Sequence, residues 1–196
     1  QVSKVMESNT LSVYSRIRPA LPREVSSNNF TRCLGVPHHQ PNSIIVTTSD
    51  QPILLNHSGD IDQHSSLQKF EFDGVLQEKS SNHDVFKKVC SPLIDGVLNG
   101  INGCLLAYGQ TGSGKTHTML GNIDELASLS LKNNISSTSA EERNNSTRTQ
   151  DPGIIVLTAN ELLTQCSQSD GDRITMSYLQ IYGKDITDLL SSSSSS

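Results

Sequence analysis

Eight residues of this 196-residue chain have types and a spacing that suit them to bind phosphate. They run from Gly109 to Thr116 and read Gly-Gln-Thr-Gly-Ser-Gly-Lys-Thr. They fit the pattern G-x-x-x-x-G-K-[ST], in which glycines let the backbone curl so that successive N–H groups converge on phosphate oxygens. In that pattern Lys115 places its ammonium on the β and γ phosphates, and the Thr116 hydroxyl coordinates Mg²⁺. The stretch therefore predicts a phosphate cradle made by Gly109, Gln110, Thr111, Gly112, Ser113, Gly114, Lys115 and Thr116.

The neighbours of this loop favour phosphate binding over a chance Gly/Ser turn. The apolar run Cys104–Tyr108 comes directly before it and is short enough to be a buried strand. A helix is predicted after it, and a helix N-terminus adds partial positive charge to such a site. A flexible turn that matches the pattern by accident is the alternative, and it would require neither neighbour.

Hydrolysis of a bound nucleotide needs more than a cradle. A further residue must orient the attacking water, and usually an Asp at the end of an apolar strand anchors the metal. The Asp residues near apolar runs are Asp50, Asp95, Asp185 and Asp188, and none of them directly ends such a strand. We therefore predict that the catalytic half lies outside this sequence, and we assign no catalytic residue within it.

Several strands are predicted in the first half of the chain. Leu11–Ile17 alternates apolar and polar residues, and Arg18-Pro19 ends it because proline lacks a donor and restricts the residue before it. The short runs Ser43–Thr48 and Pro52–Leu55 predict a peripheral hairpin. Lys69–Val75 predicts another strand that ends near Asp73-Gly74.

The periodicity becomes helical after Ser81. Apolar residues then recur at near-helical spacing, at Val85, Val89, Leu93 and Val97. The candidates for the N-cap are Ser81, Asn82 and Asp84. Pro92 predicts a kink and Asn99-Gly100 predicts the end of the helix. Helix, turn and buried strand in succession indicate an α/β fold.

The second half contains a polar insertion. Asn122–Gln150 is rich in Ser, Asn and Thr, which predicts a mobile loop. After it, the run from Gly153 leads into a predicted helix at Ala159–Leu163, and Arg173–Tyr182 alternates as a strand does. The predicted organisation is a tail at 1–10, a domain at 11–190 that carries the insertion 122–150, and a polyserine linker at 191–196.

Composition excludes several classes of protein. The formal net charge of −5, without clustered Lys and Arg, argues against a nucleic-acid-binding surface. No run approaches the length of a membrane span, and the start lacks a signal pattern, so we expect no membrane partner. The four cysteines lie far apart, which predicts free thiols in a reducing compartment, with Cys90 and Cys104 buried.

Several motifs in this order resemble the kinesin motor domain family. Val13–Pro19 resembles the family's first strand with its R-x-R-P element, and Phe70–Val75 resembles its F-x-F-D-x-V strand. Ala107–Met119 is similar to its phosphate loop almost letter for letter. Gly153-Ile154-Ile155 and the stretch 177–190 complete the resemblance, which covers 11–190.

The resemblance implies a P-loop NTPase fold, a three-layer αβα sandwich with a mostly parallel central sheet, here incomplete. It implies that Arg16, Arg18 and Pro19 flank the adenine of ATP, with His117 on its other side, and that Mg²⁺ accompanies the nucleotide. It also implies a cytoplasmic, cytoskeletal motor that hydrolyses ATP and moves along microtubules, through elements that this sequence does not contain. The oligomeric state is left open.

Departures from the family keep other interpretations open. Gln180, Gly183 and Lys184 replace residues of E-I-Y-N-E, and Val156 replaces the Pro of G-I-I-P. The sequence contains neither N-x-x-S-S-R-S-H nor D-L-A-G, the family's two switches. The alternatives are a non-motile nucleotide-binding or interaction module, and a P-loop NTPase of another family. Alternatively, the two arginines are solvated strand-end charges and the proline is a strand stop.

Overall fold

The computed structural model describes residues 11–26, 33–47, 53, 67–122, 151–167 and 173–191. The predicted tail 1–10, the Pro52–Leu55 strand apart from Ile53, and the insertion beyond Asn122 lie outside these ranges. So does the predicted linker after Ser191.

One parallel pair of strands lies at the centre of the described fold. Strand β1 (Tyr14–Arg16) pairs with β5 (Gly74–Leu76), with Tyr14 opposite Gly74. The pairing continues past β1, because the Ile17 N–H donates to the Leu76 carbonyl at 2.8 Å. Among the described residues this is the only parallel pairing, so the expected mostly parallel central sheet is present only as this pair.

The single strand predicted over Lys69–Val75 is wrong, because two strands of different sheets occupy it. Strand β4 (Leu67–Glu71) ends before Phe72, and the chain then crosses to β1 to begin β5. Asp73 makes this crossing: its N–H donates to the Val13 carbonyl at 2.9 Å, and its carboxylate accepts from the Val13 N–H at 2.6 Å. A polar residue that bonds to a distant strand overrides the local alternation.

A three-stranded antiparallel sheet lies beside this pair. Its order is β2 (Leu34–Gly35), β3 (Ser43–Thr47) and β4, with Ile44 opposite Phe70. The strand predicted from Ser43 is present as β3, but the hairpin predicted with Pro52–Leu55 is not what β3 forms, because β3 pairs with β2 on one edge and with β4 on the other. A short helix, α1 (Pro22–Val25), follows β1.

The helix predicted after Ser81 is confirmed, in three parts. Helix α2 (Asn82–Val85) leads into a π-helical turn (Phe86–Cys90) and then into α3 (Ser91–Leu98). Pro92 has no N–H to donate to the carbonyl four residues earlier. Just before it the helix makes π-type hydrogen bonds, which span five residues, such as that from the Ser91 N–H to the Phe86 carbonyl. Gly100 then ends the helix with φ of 82°.

The buried strand predicted at Cys104–Tyr108 is wrong. Residues 101–109 have no regular secondary structure, and Leu106 and Tyr108 are 84% and 94% exposed. A strand of a parallel sheet needs hydrogen-bonded neighbours and helices on its faces, and no strand of the described ranges pairs with this run. Cys104 is accordingly exposed, whereas Cys90 is buried as expected; all four cysteines are free.

Two further helices surround the core. Helix α4 (Lys115–Leu120) follows the glycine-rich loop, and α5 (Ile154–Cys166) begins before the predicted Ala159 because Ile154 is buried in the core. That core also contains Leu76, Val85 and Cys90. None of the helices in the described ranges is long and apolar enough to cross a bilayer.

The strand predicted over Arg173–Tyr182 is shorter and belongs to an exposed hairpin. Strand β6 (Leu179–Tyr182) pairs antiparallel with β7 (Asp185–Asp188). The two-residue turn is Gly183-Lys184, and Gly183 has φ of 62°. Two of the departures from the family pattern therefore make a tight turn, which a left-handed glycine favours.

Candidate functional site

The glycine-rich loop is curled by glycines with positive φ. Gly112 and Gly114 have φ of 79° and 98°, values that other residues rarely adopt. Gly114 is also the N-cap of α4, so this unusual conformation directs the chain into the helix. The loop and the helix N-terminus are thus continuous, which is the arrangement that predicts anion binding.

Lys115 closes the loop from the first turn of α4. Its ammonium donates to the Gly109 carbonyl at 2.7 Å and to the Gln110 carbonyl at 2.9 Å. The Ser113 N–H donates to the Gln110 carbonyl at 3.1 Å, which forms a turn inside the loop. A positive charge from the end of the loop is therefore held at its first two residues, where it can exchange carbonyl contacts for phosphate oxygens.

The next two predicted site residues lie on the surface of α4. Thr116 and His117 are both exposed, so the Thr116 hydroxyl and the His117 ring are open to solvent. Thr118, on the side of α4 that faces the rest of the fold, donates its hydroxyl to the Gly114 carbonyl at 3.0 Å. The helix thus presents the predicted metal ligand on its open side.

Arg16 is bound within the fold behind α4. Its guanidinium donates to Asn82 Oδ1 at 2.6 Å, to Thr118 Oγ1 at 2.8 Å and to the Ser80 carbonyl at 3.0 Å. Burial lowers the pKa of the Arg16 guanidinium, and the negative charges of Asp151 and Asp84 oppose that shift. These contacts join β1 to α4; the predicted contact of Arg16 with adenine stays a prediction.

Arg18 lies beside the loop and is held by Glu24. Its two Nη atoms donate to the Glu24 carboxylate at 2.9 and 2.7 Å, and Nη1 also donates to the Pro19 carbonyl. A methyl group added at Gly114 would lie 4.0 Å from Arg18 Cδ, so the Arg18 stem lies next to the start of α4. Arg18 and the exposed Pro19 thus lie at the same end of β1 as the loop.

We expect Glu24 to titrate at unusually low pH. The hydrogen bond from Arg18, and then that from the Leu21 N–H, lower the pKa of Glu24 from 4.5 to about 2. Because the folded pKa is the lower one, the stability that Glu24 contributes is present above about pH 4.5 and is lost as the pH falls towards 2. NMR titration of the Glu24 carboxyl carbon measures this midpoint.

The Arg18→Gln variant is the control for that titration. Without the guanidinium, the midpoint of Glu24 should rise towards its usual range. A midpoint near 4.5 in the parent chain would contradict the ion pair.

The sequence did not indicate how α4 is supported. Asn82, considered only as a cap candidate, is completely buried and bonds to Arg16, His117 and Asp151. Asp151, next to the polar insertion, carried no recognisable signal. Such contacts join residues 35 to 102 positions apart, and no local pattern predicts them.

The described residues of this site offer few ligands for a metal ion. Within the described ranges, no group of three or more His, Cys, Asp or Glu side chains is placed to hold a metal ion. Thr116 is therefore the residue here that fits Mg²⁺, as one ligand beside phosphate oxygens and water, which is how Mg²⁺ is usually held at phosphate sites. The arrangement can bind a phosphate chain, with Lys115 as its cation.

Comparison with known proteins identifies the family. The model of the kinesin motor domain matches residues 16–196. Kinesin-like protein Klp61F of Drosophila melanogaster is 31% identical over 92% of the chain and 14% of its own length. Kinesin-like protein KIP2 of Saccharomyces cerevisiae is 30% identical over 97% of the chain and 24% of its own. Kinesin-like protein KIN-UA of Arabidopsis thaliana is 39% identical over 62% of the chain and 11% of its own.

The chain thus spans less than a quarter of the length of each of these three relatives. The family match nevertheless begins at the last residue of β1 and covers β5, the glycine-rich loop and α4. The chain belongs to the kinesin motor domain family, whose members share a P-loop NTPase α/β fold.

Proposed function

We propose that the loop Gly109–Thr116 binds MgATP. The observation that carries this proposal is the ammonium of Lys115 held between Gly109 and Gln110, in a loop whose left-handed glycines lead directly into α4. Lys115 would bind the β and γ phosphates, the loop N–H groups would bind phosphate oxygens, and Thr116 would bind Mg²⁺. Lys115 and the N-terminus of α4 act on the same negative charge.

The adenine would lie between the end of β1 and α4. Arg18 and Pro19 would flank one side of the ring and the exposed His117 the other, with Arg16 completing the set. The position of the Arg18 stem next to Gly114 supports this arrangement. The contacts of Arg16 with Asn82 and Thr118 favour a supporting role for it, beneath the site.

We propose that this chain is part of a longer protein, in which ATP hydrolysis drives movement along microtubules in the cytoplasm. Family membership supports this step. The 196 residues contain neither switch motif of the family, so the groups that act on water and on the microtubule would come from elsewhere in that protein. Without them, the chain would be a nucleotide-binding module that does not move.

The proposal is tested on the 196-residue chain by two measurements. We expect MgATP to bind in a calorimetric titration, and we expect no hydrolysis above background with or without polymerised microtubules. Absence of MgATP binding would refute the proposed cradle. Turnover stimulated by microtubules would instead show that the catalytic parts lie within these residues.

A further inference from the structure

We propose that Asn82 is a positioning residue for the phosphate loop, which it serves by holding α4 in place. Asn82 is completely buried, so it cannot itself contact a nucleotide in the loop. The inference rests on the nucleotide-binding function proposed above and extends it to a residue outside the motif. It is carried by the hydrogen bonds that converge on this one side chain.

The Asn82 amide joins three parts of the fold that are distant in sequence. Its Oδ1 accepts from Arg16 Nη1 at 2.6 Å, next to the end of β1. Its Nδ2 donates to the His117 carbonyl of α4 at 3.1 Å and to the Asp151 carbonyl at 3.2 Å. An amide is suited to this place because it accepts on one atom and donates two hydrogen bonds from the other.

A second path connects Asn82 to the same helix. Arg16, which Asn82 binds, also donates to Thr118 Oγ1 at 2.8 Å. The helix is therefore held at two successive residues, by the carbonyl of His117 and by the hydroxyl of Thr118. These directly follow Lys115 and Thr116, so a shift of the held turn would move both proposed nucleotide ligands.

Asp151 fixes Asn82 from the other direction. The Asn82 N–H donates to both carboxylate oxygens of Asp151, at 2.9 and 3.0 Å. Asn82 is the first residue of α2, where an N–H group has no intrahelical partner and a negative charge is favourable. The main chain of Asn82 is thus anchored, and its side chain is free to bind Arg16 and α4.

Capping of α2 does not account for the Asn82 side chain. Ser81 already caps the helix, because its Oγ accepts from the Asp84 N–H at 3.2 Å. The Asn82 amide instead bonds outside its own helix at each of its three contacts. Its loss would leave buried partners unsatisfied, which is costly in a low-dielectric interior.

The test compares Asn82→Ala with two control variants in the 196-residue chain. Asn99→Ala makes the same substitution at the other end of the helical stretch, where the amide bonds only to the Asp95 carbonyl. Ile94→Val removes a methylene from a buried residue of α3 and so causes mild destabilisation away from α4. The first measurement is the dissociation constant of MgATP, at a temperature at which every variant is folded.

We expect Asn82→Ala to weaken MgATP binding roughly 3- to 30-fold, with parent-like binding in both controls. The second measurement is amide hydrogen exchange without nucleotide, at the Thr118 and Gly121 N–H groups that bond within α4. Exchange at both should accelerate in Asn82→Ala and stay unchanged in the controls. A residue with only a general effect on stability would not produce this local difference.

Thr118→Val provides a second route if Asn82→Ala does not fold. It removes the bond between Arg16 and α4, together with the bond from the Thr118 hydroxyl to the Gly114 carbonyl, while keeping the shape of the side chain. It should weaken MgATP binding in the same direction. Parent-like affinity and exchange in the folded variants would overturn the inference, and so would an equal loss of affinity in Ile94→Val. If Lys115→Ala also bound MgATP normally, the proposed function would fail as well, whereas normal binding by Asn82→Ala alone refutes only the role of Asn82.

Discussion

Replacing Lys115 by Ala should weaken MgATP binding by roughly 1.5 to 3 kcal/mol, which corresponds to about a tenfold to 150-fold increase in the dissociation constant. The ammonium would make the charge-assisted bonds to phosphate. It also donates to the Gly109 and Gln110 carbonyls, so its removal would also take away two hydrogen bonds within the loop. Calorimetric titration of MgATP into parent and variant measures the loss.

Two control variants separate the charge of Lys115 from its geometry. Lys184→Ala removes the same charge from the exposed turn of the β6–β7 hairpin and should leave MgATP binding unchanged. Lys115→Arg keeps the charge but replaces a compact ammonium with a planar fork, which does not fit the same pair of carbonyls. We therefore expect Lys115→Arg to bind MgATP about as weakly as Lys115→Ala does. Normal affinity in Lys115→Ala would refute the assigned cradle.

The parts of the fold that local sequence determines were predicted well. The helix after Ser81 is signalled by the spacing of its own apolar residues and by a cap residue at its start, and the structure has both where the pattern predicts them. The glycine-rich loop likewise leads into a helix, as its motif predicts, since its conformation depends on its own glycines. Local signals suffice where the partners of a residue are its neighbours in sequence.

The parts that depend on distant partners were not predicted. Cys104–Tyr108 has the composition of a buried strand, but a strand forms only where others pair with it. The break after Glu71 follows from bonds between Asp73 and Val13, and the support of α4 follows from Asn82 and Asp151. Polar side chains that bond across the fold carry no periodicity, so the sequence offers no pattern for them.

Close contact between Gly121 and Gly153 shows the same dependence on distant partners. Gly121 is the C-cap of α4 and Gly153 is the N-cap of α5, on opposite sides of the polar insertion. A methyl group added at Gly121 would lie 2.6 Å from the Gly153 nitrogen. The chain therefore leaves and re-enters the described fold at one point, and the start of α5 is packed against the end of the helix that carries Lys115.

Replacing Gly153 by Ala should lower the free energy of unfolding by about 3 kcal/mol or more, at the upper end of the cost of overpacking. A methyl group there would lie far inside contact distance of three backbone atoms: the Met119 oxygen, the Leu120 carbonyl carbon and the Gly121 nitrogen. Gly153 has φ of −68°, which alanine adopts readily, so the cost is steric. Backbone atoms cannot rotate away, and α4 would have to shift.

Urea denaturation followed by circular dichroism measures this loss, with Gly103→Ala as the matched control. The three atoms nearest to a methyl group at Gly103 would be side-chain atoms of Val97 and Leu93, at 3.4 to 3.8 Å, which is ordinary contact. We therefore expect Gly103→Ala to change the free energy of unfolding by less than about 1 kcal/mol. Equal stability of the two variants would show that the backbones of α4 and α5 are not in contact. The helix that carries Lys115 would then lack the packing against α5 that fixes its position.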